Sequence, residues 1–318
     1  MCPESHHESV RFTSGDGRTT IQGHIWWPAA EAKAVVQLVH GMAEYILRYD
    51  RFARFLNDRG FVVCGHDHLG HGDSVSDHSE WGRIPAHEGK DVLVGDVGRM
   101  RALAVGRVSQ ELPCDGLPYF LFGHSMGSFV VRSYISGCGD GLAGAIICGT
   151  GHIAPATSAA GNALARGIGR VRGEDYVSKL LGSLSVGAYA KAIENPRTPL
   201  DWLSYNEANV DAYIADERCG FAFSAGGNAT LTALTREVCD MDCCRRVPHE
   251  LPLLYIGGDA DPVGNMGEGV RTAAQMARDA GSNDVTCTIY DHMRHEILNE
   301  DEGERVMGDV ATWMEERI

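Results

Sequence analysis

The sequence predicts an α/β fold, a mostly parallel sheet with helices on both faces, carrying an inserted domain with helical stretches. Three observations predict it. Short apolar, β-like runs alternate with helical segments up to about residue 150 and again after residue 250, the pattern of strands joined by helical crossovers. One of these runs leads directly into Gly123-His124-Ser125-Met126-Gly127, a glycine-flanked serine set between a strand and a helix. Between the two blocks, residues 151–250 contain no run of that type, and such a length is far too great for a loop in a compact domain. The expected organisation is therefore a core in two parts, 1–150 and 251–318, with residues 151–250 as an inserted domain.

The elements follow in order. Residues 10–13 and 19–26 flank the turn signal Ser14-Gly15-Asp16-Gly17 and open the fold as an antiparallel hairpin. Ala34–Val39 reads as a strand. Residues 52–59 have helical spacing, and Gly60 ends that helix ahead of the strand Phe61–His66. Residues 88–106 form a long helix leading to the strand at 118–122, and residues 128–136 form the helix after the serine. Residues 142–148, 251–256 and Val285–Tyr290 are again buried and β-like. Within the insertion, small and polar residues mix with amphipathic helical stretches such as 176–181.

Ser125 is the candidate nucleophile. The turn that exposes its hydroxyl is so tight that a side chain at either flank would collide with the neighbouring strand or helix, hence glycine at 123 and 127. A serine hydroxyl needs a base to take its proton, and the base needs a carboxylate to orient it. Both types follow in the order Ser, Asp, His, at the C-terminal ends of predicted strands, where open α/β sheets form their crevice. The loop after 251–256 offers Asp259 and Asp261, and the loop after Val285–Tyr290 offers His292 and His295. Acyl transfer also needs donors for the oxyanion. The loop His40-Gly41-Met42-Ala43-Glu44 has a glycine that lets the backbone approach a substrate, so the N–H groups of Met42 and Met126 are assigned as those donors. Glu44 and Glu300 read as carboxylates that orient loops.

Four segments carry a family likeness: His40 to Glu44, Asp67-His68-Leu69-Gly70-His71-Gly72-Asp73-Ser74, the pentapeptide at Ser125, and Arg294-His295-Glu296-Ile297-Leu298-Asn299-Glu300. Together they resemble the monoacylglycerol lipase and lysophospholipase branch of the α/β-hydrolases, over roughly residues 8–316. The resemblance implies an eight-stranded α/β-hydrolase fold with its cap over the nucleophile. It also implies a triad of Ser125, Asp261 and His295, taken over the rivals Asp259 and His292, and no cofactor. The implied substrate is an ester with one fatty acyl chain, a monoacylglycerol or lysophospholipid, and with it transient contact with lipid aggregates. The branch also resembles short-chain carboxylesterases and serine aminopeptidases, and a hydrolase fold that only binds its ligand is the non-enzymatic alternative.

Composition bounds the rest. At 318 residues and a net charge of −15, the chain lacks the basic face that a nucleic-acid binder uses to displace counterions, and it is not drawn to anionic membranes. Met1 to Glu8 lacks the basic start and apolar run of a secretory signal, and no apolar run approaches the ~20 residues of a spanning helix. Ten cysteines, mostly scattered singly, make no disulfide framework, so a reduced cytoplasm is expected. His40, His68, His71 and His124 invite a metal reading, as do Cys239, Cys243 and Cys244 near His249. Neither set has the spacing of a common zinc site, and no metal is expected.

Overall fold

The structure is a computed structural model that describes residues 6–112 and 116–318. Residues 1–5, which belong to the stretch read above for a secretory signal, lie outside the described residues, as do residues 113–115; Cys2 and Cys114 fall among them. Strands β1 (His6–Thr13), β2 (Thr20–Trp27), β3 (Ala34–Val39), β4 (Phe61–His66), β5 (Tyr119–His124), β6 (Gly144–Cys148), β7 (Leu253–Gly258) and β8 (Val285–Tyr290) form one eight-stranded sheet. Its order is β1-β2-β4-β3-β5-β6-β7-β8. β2 runs antiparallel to β1 and to β4, and the remaining pairs are parallel.

The helices are α1 (Asp50–Asn57), α2 (Gly89–Glu111), α3 (Met126–Cys138), α4 (Pro155–Arg172), α5 (Lys179–Leu184), α6 (Val186–Ala190), α7 (Glu207–Ala215), α8 (Ala225–Val238), α9 (Met241–Arg245), α10 (Glu268–Asp279) and α11 (Gly303–Glu315). Successive strand residues point to opposite faces, so the central strands can be apolar throughout only if both faces are covered. They are. Val35, Leu121, Ile147 and Tyr255 pack with side chains of α2, α3 and α10, and Val36, Phe122, Ile146 and Ile256 pack with those of α1 and α11. The helix expected to stop at Gly106 runs on to Glu111, because an exposed glycine costs a helix interior only about 1 kcal/mol.

Between β6 and β7 the described chain is helical, α4 to α9, with α4 against α8 and α8 also on α2 and α3. The helix expected over 176–181 begins only at Lys179. Ser178 is extended and caps α5, its hydroxyl accepting the Leu181 N–H, while Val177 makes an isolated antiparallel bridge with Ser224. No helix among the described residues is long and apolar enough to cross a membrane. Among the described residues no group of three or more His, Cys, Asp or Glu side chains is arranged to hold a metal ion.

β2, the end of β4 and the loops that follow β3 and β4 bury five imidazoles, His24, His40, His66, His68 and His71. His68 donates its N–H to His40 Nε2 (2.9 Å), which leaves the His40 proton on Nδ1, donated to Gly41 O (2.8 Å). Neither ring nitrogen of His66 has a partner among the described residues. Burial pushes His40 and His66 down to about 3, His24 and His71 down to about 4, and His68 well below its ordinary value. The unfolded chain takes up protons below about pH 6.5 while these folded rings do not, so stability present above that pH is lost as the pH falls. Asp67, pushed up to about 7 by burial, and His124, raised by the neighbouring Glu44 carboxylate, work in the opposite sense, but the five buried neutral rings outnumber them. The urea midpoint is therefore expected to drop steeply between about pH 7.5 and about pH 5, with His24, His40, His66 and His71 each contributing about 2 kcal/mol at the lower pH and His68 acting in the same direction. A flat pH profile would contradict the burial of these rings in their neutral form.

Candidate active site

β5 ends in a turn so sharp that Ser125 adopts φ 54° and ψ −121°, a conformation a non-glycine residue keeps only when its surroundings enforce it. Its N–H bonds Cys148 O (3.0 Å) on β6, and its carbonyl accepts the N–H (2.9 Å) and hydroxyl (2.6 Å) of Ser128. The flanking glycines are needed for the reason the sequence suggested. A Cβ at Gly127 would run into the carbonyl oxygens of Val39 and His40, and one at Gly123 would lie 2.5 Å from Gly127 O and 2.7 Å from Val131 Cγ2.

The two rival pairs separate cleanly. His295 Nδ1 lies 2.9 Å from Asp261 Oδ2, and both residues are buried. Asp261 Oδ1 accepts the Val263 N–H (2.8 Å), so both carboxylate oxygens are fixed. Asp259 and His292 are exposed and joined to each other, the His292 N–H donating to Asp259 Oδ1 (2.8 Å). Ser125, His295, Met42 and Met126 line one cavity of about 100 Å³, and Asp261 stands behind His295. The backbone N–H groups of Met42 and Met126 have no acceptor among the described residues.

A buried ionic cluster ties the loops of this site together. Arg48 donates to Glu44 Oε2 (2.7 Å) and, through two nitrogens, to both carboxylate oxygens of Glu296 (2.7 and 2.8 Å). Glu44 Oε1 in turn accepts the Gly41 N–H (2.6 Å) and the Tyr49 hydroxyl (2.8 Å). Burial pushes the Glu44 carboxyl up, but its hydrogen bond with His124 and the charge of Arg48 outweigh that and hold it far below the usual carboxylate range. Burial likewise opposes the lowering of Glu296, which the Arg48 charge and hydrogen bonds bring about.

His124, the residue before Ser125, faces an acceptor at each ring nitrogen: Tyr49 O (2.9 Å) and Glu44 Oε1 (3.4 Å) at Nδ1, and the His295 carbonyl (3.2 Å) at Nε2. Its pKa is raised, burial being outweighed by Glu44. A doubly donating His124 thus carries the Glu44 cluster to the backbone of His295. Glu300 orients loops, as expected, taking the Arg294 N–H (2.8 Å), the Ser204 hydroxyl (2.7 Å) and the Tyr205 N–H (2.9 Å). Sequence reasoning passed over Arg48, although it stands four residues after Glu44. It also passed over Trp202, whose ring centre is 5.3 Å from that of His295, and Tyr189, which packs on Trp202 at 5.1 Å.

The thiol cluster is unremarkable by comparison: Cys239 and Cys243 are buried, Cys244 is half-buried, His249 is exposed, and all three cysteines are free. Of the other histidines, His40, His68 and His71 support the loop carrying Met42 and do not line the cavity.

A strained serine elbow, an Asp–His pair behind it and an eight-stranded sheet of this order describe one fold family, and the family profile described as "Serine aminopeptidase, S33" matches residues 30–302. The chain belongs to that family of α/β-hydrolases. Within it, the chain falls in the branch of lipases and esterases that is like monoacylglycerol lipases. It is 28% identical to the monoacylglycerol lipase of Mycolicibacterium smegmatis over 317 residues, 98% of each chain. It is 27% identical to the human monoglyceride lipase over 300 residues, 92% of this chain and 86% of the relative. A carboxyl esterase from Bacillus coagulans, solved in complex with glycerol, superposes with a TM-score of 0.89 at 28% identity, covering 98% of both chains. A lipase in an open form follows with a TM-score of 0.87 at 25% identity, covering 98% of this chain and 99% of that one.

The ionic cluster of this α/β-hydrolase can be tested directly. Arg48→Met leaves Glu44 and Glu296 buried without their shared cation, which is expected to cost about 3–5 kcal/mol in a urea titration at neutral pH. A loss below about 1 kcal/mol, the size of an exposed pair, would mean that solvent reaches the cluster.

Proposed function

We propose that this protein is a serine hydrolase that cleaves carboxylic esters, most simply monoacylglycerols, by a two-step acyl transfer. One observation carries the reading: the strained Ser125 and the Asp261-held imidazole of His295 open into the same cavity as two unused backbone N–H groups. Ser125 Oγ attacks the ester carbonyl as His295 takes its proton at Nε2, and Asp261 fixes the tautomer that leaves Nε2 free. The N–H groups of Met42 and Met126 receive the oxyanion. His295 then protonates the departing alcohol, and in the second half it activates the water that releases the acid. Residues 151–250 act as a cap: Ser185, Val186, Tyr189, Leu200 and Trp202 form one wall of the cavity. The names of the relatives, monoacylglycerol lipase and monoglyceride lipase, support a one-chain acyl ester as substrate, with a lysophospholipid as a further candidate of the same kind.

The chemistry is tested by comparing histidines. Ser125→Ala and His295→Ala are each expected to lower kcat by roughly four to six orders of magnitude, whereas His292→Ala costs less than about tenfold. Equal losses at the two histidines would sink the assignment of the base.

A second reading has its own support. The cavity of about 100 Å³ is much smaller than the ~300–1,000 Å³ of pockets that enclose a drug-sized ligand, which favours a short-chain carboxylesterase unless the cap wall moves outward. Each methylene that finds an apolar wall adds about 0.8 kcal/mol of binding. For a monoacylglycerol lipase, kcat/KM measured on acetyl to dodecanoyl glycerol esters should rise with chain length until the groove is full, with triacylglycerols poorer. A maximum at the acetyl ester assigns the short-chain reading, and release of N-terminal amino acids from amides assigns a peptidase.

A further inference from the structure

The loop carrying Met42 is anchored at three points: His40 Nδ1 donates to the Gly41 carbonyl (2.8 Å), in the same peptide as the Met42 N–H, and of the other two anchors one comes from the cap. On one side the Gly41 N–H is held by Glu44 Oε1 (2.6 Å). On the other side the Ala43 carbonyl oxygen accepts two bonds from the cap, the Tyr213 hydroxyl at 2.7 Å and the Gly220 N–H at 2.9 Å. Ala43 sits at φ 55°, a left-handed conformation that a residue with a Cβ keeps only when its neighbours impose it. Tyr213 is itself held firmly. It is only 7% exposed, and the Arg48 guanidinium carbon lies 4.8 Å from its ring centre. The Met42 N–H lies within one residue of every anchor, so the bonds to Gly41 and Ala43 fix the direction in which it points.

We propose that Tyr213 is a positioning residue for the oxyanion site, its hydroxyl holding the Ala43 carbonyl so that the Met42 N–H faces the carbonyl oxygen of a bound ester. This rests on the reading of Ser125 and Met42 given above. The consequence is that the cap does more than select the acyl chain. It sets the direction of a donor used by every substrate, including one too small to touch the cap. Were Tyr213 only a wall of the acyl groove, its hydroxyl would matter to long chains alone, because the same ring with or without the oxygen lines the cavity equally well.

Tyr213→Phe keeps the ring and its packing and removes the hydroxyl, while the Gly220 N–H still holds Ala43. Active sites of parent and variant are counted by end-point titration with a fluorophosphonate, so that kcat refers only to folded enzyme, and kcat and KM are measured for p-nitrophenyl acetate and p-nitrophenyl octanoate. The expected result is a fall in kcat of about five- to tenfold on both esters, the size of one neutral hydrogen bond, with KM changed less than about twofold. An unchanged kcat on the acetate, or a loss confined to the octanoate, overturns the positioning role. Ser125→Ala, run alongside, separates the two levels. If it retains turnover, the nucleophile reading fails and this inference with it; if it abolishes turnover while Tyr213→Phe leaves the acetate rate intact, only the inference fails.

Discussion

Glu44 and Glu296 share one guanidinium, that of Arg48, in a place from which water is nearly excluded, and the rest of the site is arranged around that contact. Neither carboxylate could stay charged there alone, since burial of an isolated ion costs several kcal/mol and the group would neutralise instead. With Arg48 between them, the loop holding Gly41, the residue after His295 and the cap residue Asn209, which donates to Glu296 (2.7 Å), are drawn to one point. Such a cluster is not a generous source of stability. Its value lies in geometry, because bidentate and charge-assisted bonds tolerate little displacement.

The same burial explains why the neighbourhood of the serine is rich in histidine yet offers no sign of a metal-binding arrangement among the described residues. An imidazole can be donor at one nitrogen and acceptor at the other, so a neutral ring links two backbone segments without carrying charge. His40 does this between His68 and Gly41. His124 is the exception, because Glu44 stands beside it and both of its nitrogens face acceptors. Two histidines that look alike in the sequence are therefore set apart by one carboxylate.

The segment between β6 and β7, proposed above as a cap, enters the site from two directions. From one it supplies apolar wall, with Trp202 against His295 and Tyr189 against Trp202. From the other it supplies polar anchors, Tyr213 and Gly220 on Ala43, and Asp216 and Arg218 on the Tyr45 hydroxyl, which donates to Asp216 (2.6 Å) and accepts from Arg218 (2.6 Å). A wall that is also an anchor has limited freedom to move. The small cavity and the polar ties to the loop of Met42 are two sides of the same close packing.

What the sequence by itself determined was whatever depends on local pattern and chain order. Strands buried on both faces must be mostly apolar, with a buried polar side chain such as Gln37 hydrogen-bonded, so β3 to β7 could be read directly, and a serine between two glycines after a strand read as a tight turn. The order Ser, Asp, His at strand ends followed from the same reading. Local pattern ran out where two candidates share one loop. Asp259 and Asp261, or His292 and His295, differ only in which of them the loop turns inward, and that direction is set by contacts from elsewhere in the chain, such as the Glu296 N–H on Leu203 O (2.7 Å); family likeness favoured one of each pair, and packing supplied the reason. The Arg48–Glu44 pair lies four residues apart and was open to a local reading, but the other bonds were beyond reach, since Arg48 and Glu296 lie 248 positions apart and Tyr213 and Ala43 lie 170 apart. Distance in sequence carries no signal for such bonds; only closure of the sheet and the seating of the cap bring the donor to its acceptor.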